Sequence, residues 1–185
     1  MLTASRLFYS EGMRGVGVDR LIAESSVAKR SFYHHFPSKT ALVIAWLTRR
    51  HEEWMAQFTA DCEGLMAEGG RGRGLEVLAD ALAMWFRRPG YRGCAFINVI
   101  AESGTSPDPL VRAVAVRHKE ELGQWVVGLA ERLGVARPLE AAMRAMILMD
   151  GMIVRYQMTG DAAVIDDGRD LLAALSSPRR ARRLR

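Results

Sequence analysis

Helical periodicity runs through this chain almost from end to end, cut at close intervals by glycine and proline. No stretch alternates apolar and polar residues strictly, as a half-buried strand does. Gly12, Gly15 and Gly17 close a first short helix, Pro37 follows Phe36, and Gly69, Gly70, Gly72 and Gly74 break a long later segment. Pro89-Gly90, Pro107, Pro109, Gly134, Pro138 and Gly160 supply the remaining breaks. Proline cannot continue a helix, and glycine ends one at low cost. The spacing predicts an all-α fold with about nine helices, roughly at 1–11, 18–25, 28–35, 39–67, 74–88, 94–103, 109–133, 138–159 and 161–176. Ser38 is placed to cap the fourth. There is no internal repeat, and the tail SSPRRARRLR is expected to fray.

Length and composition exclude several classes. A chain of 185 residues, 49% hydrophobic and 25% charged, makes one ordinary domain or a small domain joined to a larger one, and not a disordered protein. Its longest run without a charged residue is nine, for example Gly93 to Ala101, whereas a spanning helix needs ~18 or more apolar residues. The N-terminus has no basic stretch followed by an apolar run, so no secretory signal is read. Cys62 and Cys94 are too few for a disulfide framework or a zinc site. A cytoplasmic protein is expected, with no cofactor, no metal and no membrane partner.

Charge is unevenly spread. Residues 1–50 carry a net +5, residues 51–175 a net −5, and the last ten residues a net +5. A basic N-terminal quarter on an acidic remainder suggests a polyanion-binding head. The segment from Val18 to Phe36 reads VDRLIAESSVAKRSFYHHF. Two short helices there are separated by a tight turn at Ser25-Ser26. Leu7, Phe8, Val18, Leu21, Ile22, Val27, Phe32 and Phe36 form the expected small core. Lys29, Arg30, Ser31, Tyr33, His34 and Lys39 are then left to face outward. A helix-turn-helix needs this arrangement: polar groups on the second helix read base edges, and flanking groups bind phosphate. Arg can pair in bidentate fashion with guanine, and Ser can reach either kind of base. A bound phosphate would offset the unfavourable position of Lys39 in the first turn of its helix.

The stretch from Leu7 to Leu47, and above all FYHHFPSK followed by an apolar helix, resembles the N-terminal DNA-binding domain of the TetR family of bacterial transcriptional regulators. The resemblance implies a three-helix helix-turn-helix head over residues 1–48. It implies a helical ligand-binding and dimerisation domain over 49–185. By it, Lys29, Arg30 and Ser31 match the base-reading start of the recognition helix, Tyr33 and His34 its phosphate-contacting end, and Lys39 the phosphate-contacting lysine after Phe-Pro-Ser. Three positions depart from the family pattern: Ser26 where Gly is frequent, Ala28 where Ser or Thr is frequent, and Gly17 where Thr or Ser is usual. Family members usually carry a basic extension before the first helix; here Met1 already lies inside it, so that extension is either absent or upstream of the given start.

Beyond the head, residues are read on their own terms. RGCAFINVIAE, Arg92 to Glu102, resembles one subgroup of the family without fixing a ligand. The helix at 109–133 has an apolar stripe of Val111, Val114, Ala115, Leu122, Trp125, Leu129 and Leu133, with His118 inside it. Asn98 and Glu102 share a face, one turn after Cys94 and Phe96. A few polar groups converging on an apolar wall is how small-molecule sites are built. The ligand set expected is therefore Cys94, Phe96, Asn98, Glu102, His118, Trp125 and Met149, around a small, mostly apolar molecule. His118 as an ordinary hydrogen-bonded core histidine is the plainer alternative. Glu102 with His118 lacks a nucleophile or a third orienting group, so no enzyme is expected and no catalytic residue is assigned. The helix at 138–159 is apolar around most of its circumference and rich in methionine, which suits irregular cavities. One side of it, with the next helix, is expected to form a homodimer face through Met143, Ile147, Gly151, Val154, Leu171 and Leu175. The function expected is a homodimeric repressor that leaves a palindromic double-stranded operator when its ligand binds. A helical ligand-binding protein or enzyme that has lost DNA binding, and a purely architectural nucleic-acid binder, are the rivals.

Overall fold

The computed structural model describes residues 1–69 and 73–176; Gly70, Gly72 and the arginine-rich tail after Ser176 lie outside the described residues. All regular structure among the described residues is helical. The order is α1 (Leu2–Glu11), α2 (Val18–Ser25), α3 (Lys29–His35), α4 (Lys39–Gly69), α5 (Val77–Phe86), α6 (Ala95–Glu102), α7 (Pro109–Arg132), α8 (Pro138–Thr159) and α9 (Ala163–Ser176). Each expected helix is present, its ends displaced by three residues at most. The largest displacement is at the start of α5. There the Gly74 N–H is taken by the Glu76 carboxylate at 2.7 Å and the Leu75 N–H by the Ser176 hydroxyl at 2.7 Å, so these residues form a bonded turn instead of a first helical turn. The ends elsewhere follow local chemistry. Ser38 Oγ accepts the Ala41 N–H at 3.1 Å, α8 opens on Pro138 and closes on Gly160 at φ 66, and α1 closes on Gly12 at φ 85.

The described residues divide into two compact units. The first comprises 1–56 and 92–120, the second 57–91 and the chain from 121 onward. In the first unit Ala4, Leu7, Phe8, Val16, Leu21, Phe32, Leu42, Val43, Trp46 and Leu47 are buried, and the Phe8 and Trp46 rings meet at 5.3 Å. Val18, Ile22 and Phe36 are half-buried. Val27 departs from expectation: it is exposed. It sits in the turn after Ser26, which adopts φ 55, and in that turn the helical spacing used to place Val27 no longer applies. Val16, just ahead of α2, is fully buried instead. On the surface Arg20 bonds Glu11 at 2.5 and 2.8 Å and Glu24 at 2.7 Å, and Arg6 bonds Glu24 at 2.5 Å. The network ties α1 to α2, with each exposed pair contributing little alone.

In the second unit α8 packs on α9 and α5 packs on both. Gly168 of α9 lies so close to Met152 that a Cβ there would overlap the Met152 side chain. Gly151 of α8, by contrast, faces open space within the chain. Asp80 of α5 bonds both Arg73 and Arg169, each at 2.8 Å. Tyr91 donates to the Ile153 carbonyl at 3.2 Å, and Phe86 stacks on Tyr156 at 4.5 Å.

The head helices carry two correctable weaknesses. Gly17 and Ala28 precede α2 and α3 without any side-chain cap, and Ser26 holds a left-handed conformation that favours glycine. Ala28→Ser is expected to raise stability by about 1 kcal/mol, and Ser26→Gly by roughly 0.5–1 kcal/mol. Thermal or urea denaturation checks both; no gain from either would contradict these cap and turn assignments.

Candidate nucleic-acid interface

The second helix of the helix-turn-helix, α3, has seven residues. A helix that short has no independent stability in water, so its position comes from what it buries. Phe32 is 7% exposed and lies against Phe36 at 6.0 Å and the edge of Tyr33 at 5.3 Å. With Phe32 turned inward, Lys29, Arg30, Ser31, Tyr33 and His34 are all exposed, as the sequence predicts. They stand together on one short helix. Lys29 also reaches Asp19, at 3.2 Å, in an exposed pair. Lys39 differs from this set. It is half-buried at the start of α4; burial holds its pKa below the usual lysine range, partly opposed by the charge of Glu102.

The residues assigned to a ligand are placed as follows. In the first unit Phe96 of α6 stacks on His118 of α7, centroids 3.7 Å apart and planes 10° from parallel. His118 Nδ1 lies 3.0 Å from Nδ1 of buried His51, so one imidazole donates and the other accepts. Trp54 meets His118 edge-on at 5.4 Å. Burial first, then the Lys119 charge and His51, push the His118 pKa down to about 3, so the ring is neutral at pH 7. Cys94, just before α6, is buried. Asn98 donates to the Arg92 carbonyl at 2.8 Å. Glu102 accepts the Arg14 N–H at 3.1 Å. Each polar group assigned to a ligand from the sequence thus has a protein partner. Trp125 and Met149 belong to the second unit; Trp125 meets Phe58 edge-on at 6.0 Å and Met149 is fully buried. Also in that unit, burial pushes the Cys62 thiol up to about 12, which leaves it protonated and unreactive.

Among the residues assigned to a dimer face, Met143, Ile147, Gly151 and Val154 are exposed along one side of α8 and Leu171 is exposed on α9, while Leu175 is half-buried. The sequence reading missed His51, Trp54 and Tyr9. A signal for the first two was present: Leu47, His51, Trp54, Phe58 and Cys62 recur at helical spacing, which puts His51 on the buried stripe of α4. No helix among the described residues is long and apolar enough to cross a membrane. Among them, no three His, Cys, Asp or Glu side chains are grouped to hold a metal.

Among the described residues, all of whose regular structure is helical, α2, the turn at Ser26 and a short α3 anchored by Phe32 and presenting five polar side chains form a helix-turn-helix. Residues 1–46 match the family model described as bacterial regulatory proteins, tetR family. A TetR-family transcriptional regulator from Streptomyces coelicolor shares the fold with a TM-score of 0.77 and 28% identity, covering 94% of this chain and 89% of that one. The reduced form of NemR from Escherichia coli gives 0.74 at 19% identity, over 95% and 94%. In sequence, the transcriptional regulator LmrA of Bacillus subtilis is 27% identical over 131 residues, 70% of this chain and 66% of LmrA. The transcriptional repressor NemR of Escherichia coli is 29% identical over 103 residues, 55% of this chain and 51% of NemR. The matches thus span just under two thirds of LmrA and about half of NemR. Over residues 1–46 the chain is thus similar in sequence to the tetR family of bacterial regulatory proteins, and its fold is similar to that of a TetR-family regulator.

The His118 environment has a consequence for acid stability. Its folded pKa lies near 3 against an ordinary value of 6.5, so its stabilising contribution is complete above the unfolded pKa and is lost as pH falls toward the folded one. Stability is expected to decline already between about pH 6.5 and 5, before most carboxylates titrate. Replacing His118 with Phe should flatten that limb in urea titrations at stepped pH. An unchanged slope would contradict the assignment.

Proposed function

We propose that this protein is a homodimeric DNA-binding transcriptional regulator, a repressor released from a palindromic operator by a small, mostly apolar ligand. The observation that carries the reading is the exposed row Lys29, Arg30, Ser31, Tyr33 and His34, held outward by buried Phe32. An enzyme would need a reactive constellation, and none of the assigned residues forms one; the proposal is a binding protein acting in the cytoplasm. Residues 1–48 are proposed as the reading head and 49–185 as the domain for regulation and pairing.

Arg30 and Ser31, with Lys29, are proposed to read base edges, and Tyr33, His34 and Lys39 to hold phosphates. Replacing Arg30 or Ser31 is expected to change which duplex is preferred, with a wrong base pair costing ~1–3 kcal/mol. Replacing Lys39 with Ala should weaken all duplexes alike and lower the salt slope by about one unit. Binding titrations across salt, on duplexes enriched by the purified protein, check this. A changed preference with Lys39→Ala at constant salt slope would overturn the division of roles.

The dimer proposal rests on the apolar stripe of Met143, Ile147, Gly151 and Val154 along α8, joined by Leu171 and Leu175 of α9. Ile147 is 73% exposed, unusual for so large an apolar residue repeated along one face. Ile147→Glu would place two like charges across a two-fold axis, and should weaken self-association by about 100-fold or more. Sedimentation measures it; a wild type that stays monomeric at micromolar concentration, with and without DNA, would refute the interface.

For the ligand, the proposal draws on Cys94, Phe96, Asn98 and His118 of the first unit, where neutral His118 lies under an aromatic ring. A molecule that prefers the DNA-incompetent state would weaken operator binding by its differential affinity, typically ~1–3 kcal/mol.

A further inference from the structure

The helix α3 carries no acid of its own, and its sequence KRSFYHH opens on Lys29. A cation in the first turn of a helix is opposed by the helix dipole, and the preceding Ala28 supplies no cap. The charge set against Lys29 comes from the neighbouring helix. Asp19 stands in the first turn of α2, its Oδ1 3.2 Å from the Lys29 Nζ. The first fifty residues hold two other acids, Glu11 and Glu24, and these are used differently. Arg20 bonds both of them and Arg6 bonds Glu24, so they serve the join between α1 and α2. Of the three, Asp19 is the one bonded to α3. Both partners of that pair are exposed, so it adds little to folding. Its effect falls on whatever approaches this surface, and a duplex approaching α3 brings phosphates, which an acid repels.

We infer that Asp19 is a positioning residue for base selection: it tethers the Lys29 ammonium beside α3 and so limits what Lys29 can bind. The inference rests on the DNA-binding reading above. A lysine ammonium has three donors. One goes to Asp19, which leaves two for the O6 and N7 acceptors of a guanine. The lysine stem carries much rotamer entropy, and a tethered ammonium loses less of it on docking. A phosphate is served less well. To follow the DNA backbone Lys29 must leave Asp19, and the carboxylate repels the phosphate it meets. Sequence-independent binding is therefore weakened more than binding to the right base. Released from Asp19, the same ammonium becomes a general phosphate contact.

The test compares Asp19→Asn, which removes the charge and keeps the shape, with Asp19→Glu, which keeps the charge. Each is made alone and together with Lys29→Gln. Binding is titrated across salt on the duplex enriched by the wild-type protein, on its single-base-pair variants and on random duplex. Asp19→Asn is expected to bind random duplex about three- to tenfold more tightly at low salt, with a salt slope steeper by about one unit. Its preference should fall about three- to tenfold at the base-pair position where Lys29→Gln also loses preference, and hold at the others. In the Lys29→Gln background Asp19→Asn should change neither preference nor slope, and Asp19→Glu alone should keep the wild-type slope. An equal loss of affinity on every duplex, as from a residue that only stabilises α2, would overturn the inference. So would a preference and slope unchanged in Asp19→Asn, or changes that persist without Lys29. A wild-type protein that enriches no duplex would overturn the DNA-binding reading itself, and the inference with it.

Discussion

The structure of the first unit depends on burying one phenylalanine. Seven residues of α3 cannot hold a helix by themselves. Phe32 gives that helix a fixed rotation by entering a core made from α1, α2 and the start of α4. Once the rotation is set, the exposure of Lys29, Arg30, Ser31, Tyr33 and His34 follows from 3.6-residue geometry. Neither α2 nor α3 has a side-chain cap. Packing and the Arg20 network therefore carry what local capping leaves undone.

Around that core, polar side chains do the fastening. Tyr9 bonds the backbone of Arg92 and Gly93 just ahead of α6, and Glu102 at the end of α6 accepts the backbone N–H of Arg14. His51 and His118 satisfy each other beneath Phe96. An unmet buried donor or acceptor costs ~1–3 kcal/mol, so these pairings constrain how α6 and α7 can sit within the unit. Buried Trp46 Nε1 has no hydrogen-bond partner among the described residues; its ring packs on Phe8.

Much of this was legible in the chain. Glycine and proline mark the helix limits, and the motif FYHHFPSK with its apolar neighbours locates α3 and its outward residues. What escaped was tertiary. Helical spacing puts Val27 in the core, yet it lies in a turn where that spacing has no meaning. Periodicity puts Asn98 and Glu102 on one short helix, as the structure has them, but it cannot reveal that Arg92 and Arg14 meet them from outside that helix. His51 repeats on the buried stripe of α4; that its partner would be His118, 67 residues later, is a long-range pairing that no local pattern encodes.

The central claim is that the exposed face of α3 reads duplex DNA as one half of a two-fold pair. Selection of binding sites from random duplex DNA by the purified protein tests it most directly. The account predicts enrichment of an inverted repeat, with half-sites about one helical turn or a multiple apart, ~34–36 Å per turn. Enrichment of nothing, or of a single unpaired half-site bound by a monomer, would contradict it.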